Sequence, residues 1–156
     1  MNAIELFFST IQTGNHENIK LQIQTNPELV NMSDARGFTP LIFSTYFNQQ
    51  DIAKTLINNG AEVNAKDASG NTALIGVSFK GNIDIVNLLI KNGADINAQN
   101  NQGSTALIFA TQYDKKDVVS LLLNHKANKN LKDNIGKTAL DYAREKNFSE
   151  LVDILS

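Results

Sequence analysis

Residues 60–66 read GAEVNAK, and residues 93–99 read GADINAQ. The two phrases start 33 residues apart; Gly, Ala, Asn and Ala recur unchanged, and Glu/Asp and Val/Ile are conservative exchanges. A phrase repeated at a fixed interval means that one local structure is built more than once. The same step carries Gly37 to Gly70, Gly103 and Gly136, and Thr39 to Thr72, Thr105 and Thr138. It carries Leu41 to Leu74, Leu107 and Leu140, Ile52 to Ile85, Val118 and Leu151, and Leu56 to Leu89, Leu122 and Leu155. Ala61, Ala94 and Ala127 keep it, as do Asn64, Asn97 and Asn130. The columns divide the chain into units of about 1–33, 34–66, 67–99, 100–132 and 133–156. The last is truncated, and the first fits the register weakly, through Ile19, Val30 and Asn31.

Elementary chemistry turns one unit into a structure. Asp67-Ala68-Ser69-Gly70-Asn71 is a cluster of turn formers. Thr72 follows as a helix N-cap, its hydroxyl taking an orphan backbone N–H. Pro40 stands next in the second unit, at the first helical position, where its missing N–H costs nothing. A short helix is expected from about Ala73 to Lys80, ended by Gly81, and a second from about Ile83 to Lys91. Ile85, Val86, Leu88, Leu89 and Ile90 cover too wide a face for an isolated amphipathic helix, so stacked neighbours must cover it. Gly60 and Gly93 stop the second helix, Val63 and Ile96 point inward, and Asn64, Asn97 and Asn130 hydrogen-bond across their turn. The repeated phrase is the exit from one helix pair into a finger leading to the next. In the first unit one of Phe7 and Phe8 is expected to pack inward.

With its 33-residue period, GFTPL at 37–41 and GNIDIVNLLIKNGADINAQ at 81–99, the sequence resembles the ankyrin-repeat family. The resemblance covers residues 34–156 and extends to 1–33 as a diverged first repeat. It implies an all-α fold, a solenoid of stacked helix-turn-helix pairs with β-hairpin or loop fingers, in a single domain spanning 1–156. Where the family often has His after the Thr-Pro-Leu motif, this chain has Ile42, Ile75, Ile108 and Asp141, so apolar packing replaces a Thr–His hydrogen bond. The fourth unit leaves its second helix through Lys126 instead of glycine, which predicts a less tidy helix end. Thr138-Ala139-Leu140-Asp141 has the form of a capping box, and the polar last unit suits an outer end facing water. The resemblance also marks the repeated asparagines as residues that can be hydroxylated in that family; the turn hydrogen bond is the reading of the residues themselves.

Composition narrows the function classes. The 156 residues carry a net charge of −2, without the basic excess typical of nucleic-acid binders. No cysteine is present, which removes disulfides, thiolate metal sites and a thiol nucleophile, and fits a reducing, cytoplasmic setting. No uninterrupted apolar run is long enough for a spanning helix, and no secretory-type leader opens the chain, so no membrane association is expected. His16 and His125 lie far apart in a linear stack, and nothing has zinc-ligand spacing. Asp34, Asp67 and Asp133 occur once per unit, too far apart to share an ion or a proton, and read as turn formers. No phosphate loop, nucleophile elbow or zinc-helix motif occurs. Catalytic residues, metal ligands and cofactors are therefore expected to be absent.

The resemblance implies a protein partner that touches the finger tips and the exposed face of each first helix. Those columns hold Arg36, Ser69 and Gln102 at the tips, Phe38, Asn71 and Ser104 just after them, and Lys66 and Lys132 before them. Tyr46, Phe47, Phe79, Lys80, Gln112 and Tyr113 stand near the ends of the first helices. Tyr46, Phe47, Phe79 and Tyr113 form an aromatic track, and exposed Tyr, Phe and Arg are typical interface anchors. The expectation is a monomeric, non-catalytic interaction module whose concave groove suits an acidic or amphipathic protein segment. The alternative is a dedicated inhibitor or chaperone-like partner of one enzyme, recognised by co-purification with one stoichiometric protein; metal-dependent activity would mark a small hydrolase instead.

Overall fold

The computed structural model describes residues 1–156. Ten α-helices and one short 3-10 turn follow each other, with no strand. They fall into consecutive pairs: α1 (Ala3–Thr13) with α2 (His16–Thr25), α3 (Pro40–Tyr46) with α4 (Gln50–Asn58), and α5 (Ala73–Ser78) with α6 (Ile83–Lys91). Two more pairs complete the row, α7 (Ala106–Gln112) with α8 (Lys116–Asn124) and α9 (Ala139–Glu145) with α10 (Ser149–Leu155). The first helices α1, α3, α5, α7 and α9 pack side by side, and the second helices form a parallel outer row.

Local chemistry starts each pair as the sequence predicts. Thr39, Thr72, Thr105 and Thr138 are extended N-caps whose hydroxyls accept the N–H of Ile42, Ile75, Ile108 and Asp141 at 3.1–3.2 Å. Helix α6 has the expected limits, whereas α5 stops at Ser78, short of Lys80. The chain then turns through Gly81 in a left-handed conformation, φ 78°. Asn48, Asp114 and Asn147 occupy the same column with φ 61°, 55° and 59°, the residue types that tolerate it best after glycine.

Apolar burial runs from end to end. One cluster of 21 buried residues extends from Leu41 to Leu155, and another of 10 from Phe7 to Leu56. Phe38 and Ala61 touch both. The first unit is better integrated than its sequence suggests, because Phe7 and Phe8 are both buried, at 0% and 4% exposure. Helix α1 is covered by α2 and by α3, so two adjacent faces point into protein, and Phe8 sets its edge on Phe43 at 5.1 Å. Val63 and Ile96 pack against the core but remain half-buried.

Polar links connect successive units. Asn31 donates to Gly60 O and accepts from Glu62 N–H, both at 2.9 Å. Asn64 repeats this with Gly93 O and Asp95 N–H at 3.0 and 2.7 Å, and Asn97 accepts from Asn128 N–H at 2.8 Å. Asn31, Asn64 and Asn97 therefore bridge to the next unit instead of closing their own turns, while Asn130 makes no side-chain bond. The fingers are turns, not β-hairpins. Each closes with two backbone bonds around one turn, such as Asp67 N–H to Asn71 O and Gly70 N–H to Asp67 O at 2.9 Å, too little for a ladder.

The exit through Lys126 is as regular as the others. Lys126 N–H meets Leu123 O and Ala127 N–H meets Leu122 O, as Gly60, Ala61, Gly93 and Ala94 do in their units. In place of the expected less tidy end stands a strained backbone, φ 67° on a residue with a Cβ. Lys126→Gly is expected to stabilise the fold by about 1 kcal/mol, raising the melting temperature by about 2–4 °C in a thermal denaturation scan.

Candidate protein-binding face

The C-terminal ends of α3, α5 and α7 bring the predicted aromatics together. Phe43 lies 4.7 Å from Phe47, Phe47 5.3 Å from Tyr46, Tyr46 6.2 Å from Phe79, and Phe79 5.2 Å from Tyr113, all as ring centroids. Tyr46 and Tyr113 are 45% and 57% exposed, while Phe79 is half-buried between them. Lys80 places its ammonium 4.0 Å above the Tyr46 ring and hydrogen-bonds the Tyr46 carbonyl. Arg36 pairs with Asp34 through two bonds to Oδ2, at 2.8 and 2.6 Å, and lies over the Phe38 and Phe43 rings at 5.0 and 5.2 Å.

The remaining predicted residues divide between open surface and inter-unit links. Ser69 and Gln102 are exposed, but their carbonyls accept the N–H of Asn101 and Asn134 in the next finger. Lys66 reaches Gln99 O at 3.0 Å, and Lys132 is exposed. Gln112 is half-buried, with its carbonyl bound by Lys146 at 3.0 Å. Asn71 accepts from Asn100 at 2.8 Å, and Phe38 packs against the core. Ser104 is a correction: at 4% exposure it is buried, its N–H held by Asn100 Oδ1, and it offers a partner almost nothing.

Beside the track a cavity of about 350 Å³ opens between α3, α5 and α7. Phe43, Tyr46, Phe79 and Phe109 form its apolar walls, Arg36 and Asp67 stand at its edge, and Gly76 lines it. Phe43, Gly76, Phe109 and Tyr142 are one column of the repeat, which the aromatic reading of the sequence missed. Aligning the units at that position would have exposed the single glycine.

A model of ankyrin repeats in three copies matches residues 6–100 and 74–156. The chain belongs to the ankyrin-repeat family. Such repeats are generally protein-binding and typically non-catalytic. No curated protein matches the chain. The match reaches into the first unit, in keeping with the buried Phe7 and Phe8. Ile42, Ile75 and Ile108 stand where many ankyrin repeats have histidine, and all three are buried. No helix is long and apolar enough to cross a membrane. No three His, Asp or Glu side chains converge; His16 instead meets the Thr55 hydroxyl at 2.6 Å.

Each ankyrin finger is organised by its acidic or amide residue. Asp34 Oδ1 accepts the N–H of Arg36 and Phe38, Asp67 Oδ1 those of Ser69 and Asn71, Asn100 Oδ1 those of Gln102 and Ser104, and Asp133 Oδ1 those of Ile135 and Lys137. In the last unit Tyr142 also donates its hydroxyl to Asp133 Oδ2. Burial alone would raise the Asp133 carboxyl, but the bonds from Tyr142, Lys137 N–H and Ile135 N–H outweigh it and hold it below its ordinary value. The Tyr142 phenol is pushed from 10.0 to about 12, by burial first and by its bond to Asp133 second.

The raised phenol favours the folded state fully below pH 10.0, and that contribution disappears as the pH rises toward about 12, because the unfolded chain ionises first. Tyr142→Phe is expected to cost about 1 kcal/mol at neutral pH and to make the alkaline loss of stability shallower by one ionisation. Urea denaturation midpoints followed across pH 9 to 12 measure both effects.

Proposed function

We propose that the protein is a non-catalytic, monomeric protein-interaction module of one domain, working in a cytoplasmic setting. It presents the aromatic track of α3, α5 and α7, with Arg36 and Lys80 beside it, to a segment of a partner protein. The observation that supports this best is the unbroken contact of Phe47, Tyr46, Phe79 and Tyr113 across three units with both tyrosines open to solvent. Exposed aromatics with adjacent cations are the residue types that carry binding energy at interfaces. The stack orders them before binding, so little conformational entropy is lost on association. The rim cations favour an acidic or amphipathic segment.

Replacing Tyr46, Phe79 and Tyr113 together by Ala separates binding from packing. The variant is expected to keep a cooperative thermal transition and to retain a partner captured from native lysate about 30-fold more weakly or not at all. A collapsed melting temperature with unchanged capture would make the rings inter-unit packing and overturn the proposal.

A further inference from the structure

We infer that the cavity at Gly76 receives a tyrosine side chain from a partner segment, with its hydroxyl donated to Asp67 Oδ2 and an acidic neighbour facing Lys80. This rests on the reading of the face as a protein-binding surface and names the chemistry it selects. Gly76 sits inside α5 without a left-handed backbone, and a Cβ added there would meet nothing within 4 Å. Neither crowding nor backbone geometry requires glycine, and glycine in a helix interior costs about 1 kcal/mol relative to alanine. The column otherwise carries Phe43, Phe109 and Tyr142, so the missing ring leaves an aromatic-walled cavity of about 350 Å³.

The edge of that cavity carries an acceptor that no protein group uses. Asp67 Oδ1 takes the N–H of Ser69 and Asn71 at 2.9 Å, whereas Oδ2 has no donor in the protein. Every equivalent residue has a side-chain partner: Asp34 has Arg36, Asn100 has Asn71, and Asp133 has Tyr142. Asp133 and Tyr142 stand two repeats beyond Asp67 and Gly76. The last unit thus contains the pair that the third unit leaves half-made: a carboxylate oxygen receiving a phenol beside the first helix. A phenol supplied from outside satisfies Asp67 and covers the Phe43, Phe79 and Phe109 rings at once. Arg36 is already paired with Asp34, whereas Lys80, beside Tyr46, has no carboxylate partner and favours an acidic residue next to the tyrosine.

Four probes test this by amide chemical-shift titration of the full chain: N-acetyl-tyrosine amide, N-acetyl-phenylalanine amide, and acetylated Asp-Tyr and Lys-Tyr amides. Saturable shifts are expected at Gly76, Asn71 and Phe109, with the tyrosine probe about tenfold tighter than the phenylalanine probe and Asp-Tyr tighter than Lys-Tyr. Asp67→Asn, a side chain that Asn100 shows the finger accommodates, should abolish the tyrosine preference, and Gly76→Phe should abolish the shifts. Equal binding of the tyrosine and phenylalanine probes, shifts that bypass Gly76, or a preference for Lys-Tyr would overturn the inference. The outcomes separate from those of the triple alanine variant. Lost capture with no tyrosine preference keeps the binding face and removes this pocket, while tyrosine binding with undiminished capture does the reverse.

Discussion

Ile85, Val86 and Leu89 have no exposed surface, yet they lie on a helix of nine residues that could not hide them by itself. They are covered because α4 packs on one side of α6 and α8 on the other. This mutual cover is the constraint on which the rest of the structure depends. At about 25 cal/mol per Å² of apolar surface removed from water, it outweighs any capping or polar contribution. It is also why short helices persist in this chain, since isolated helices of this length are marginal in water. The first unit turns Phe7 and Phe8 into the row, while the last exposes Arg144, Glu145, Lys146 and Asn147 to water.

Burial does not by itself define how far one unit is displaced from the next; the polar links do. Asn31, Asn64 and Asn97 each reach the following helix exit, and Asn101 and Asn134 tie each finger tip to the one before. These bonds join equivalent positions, so they hold one displacement along the row. A rigid, regular row keeps Tyr46, Phe79 and Tyr113 in contact as one track. Lys66 and Lys80, two of the lysines expected at the partner-binding face, also serve this alignment, as does Lys146. Lys66, Lys80 and Lys146 each bind a carbonyl of a neighbouring unit. Their position is set by the stack.

The sequence departs from perfect repetition where function is proposed. Glycine replaces an aromatic ring at residue 76, and one acidic finger residue is left without a side-chain donor at residue 67. Both irregularities fall in the third unit, next to the most aromatic part of the surface. Regular columns belong to the scaffold; a broken column beside exposed rings marks a place where the scaffold alone does not explain the residue.

Much of this protein was legible in its sequence. The period, the threonine caps, the limits of α6, the all-α class and the aromatic track follow from residue types that act locally, or from apolar positions recurring at one step. The tertiary structure alone decided several other points. Phe7 and Phe8 are both buried because α1 has cover on two faces, and Ser104 is buried where its column-mates Phe38, Asn71 and Lys137 are only half-buried. Asn64 and Asn97 reach the next unit, which no single unit contains. The cavity at Gly76 exists only between three helices, and the free oxygen of Asp67 is recognised only by comparison with its paired counterparts. Caps and periodicity are properties of neighbouring residues in the chain; cover, cavities and unpaired acceptors are properties of neighbours in space, and these arise only when the units stack.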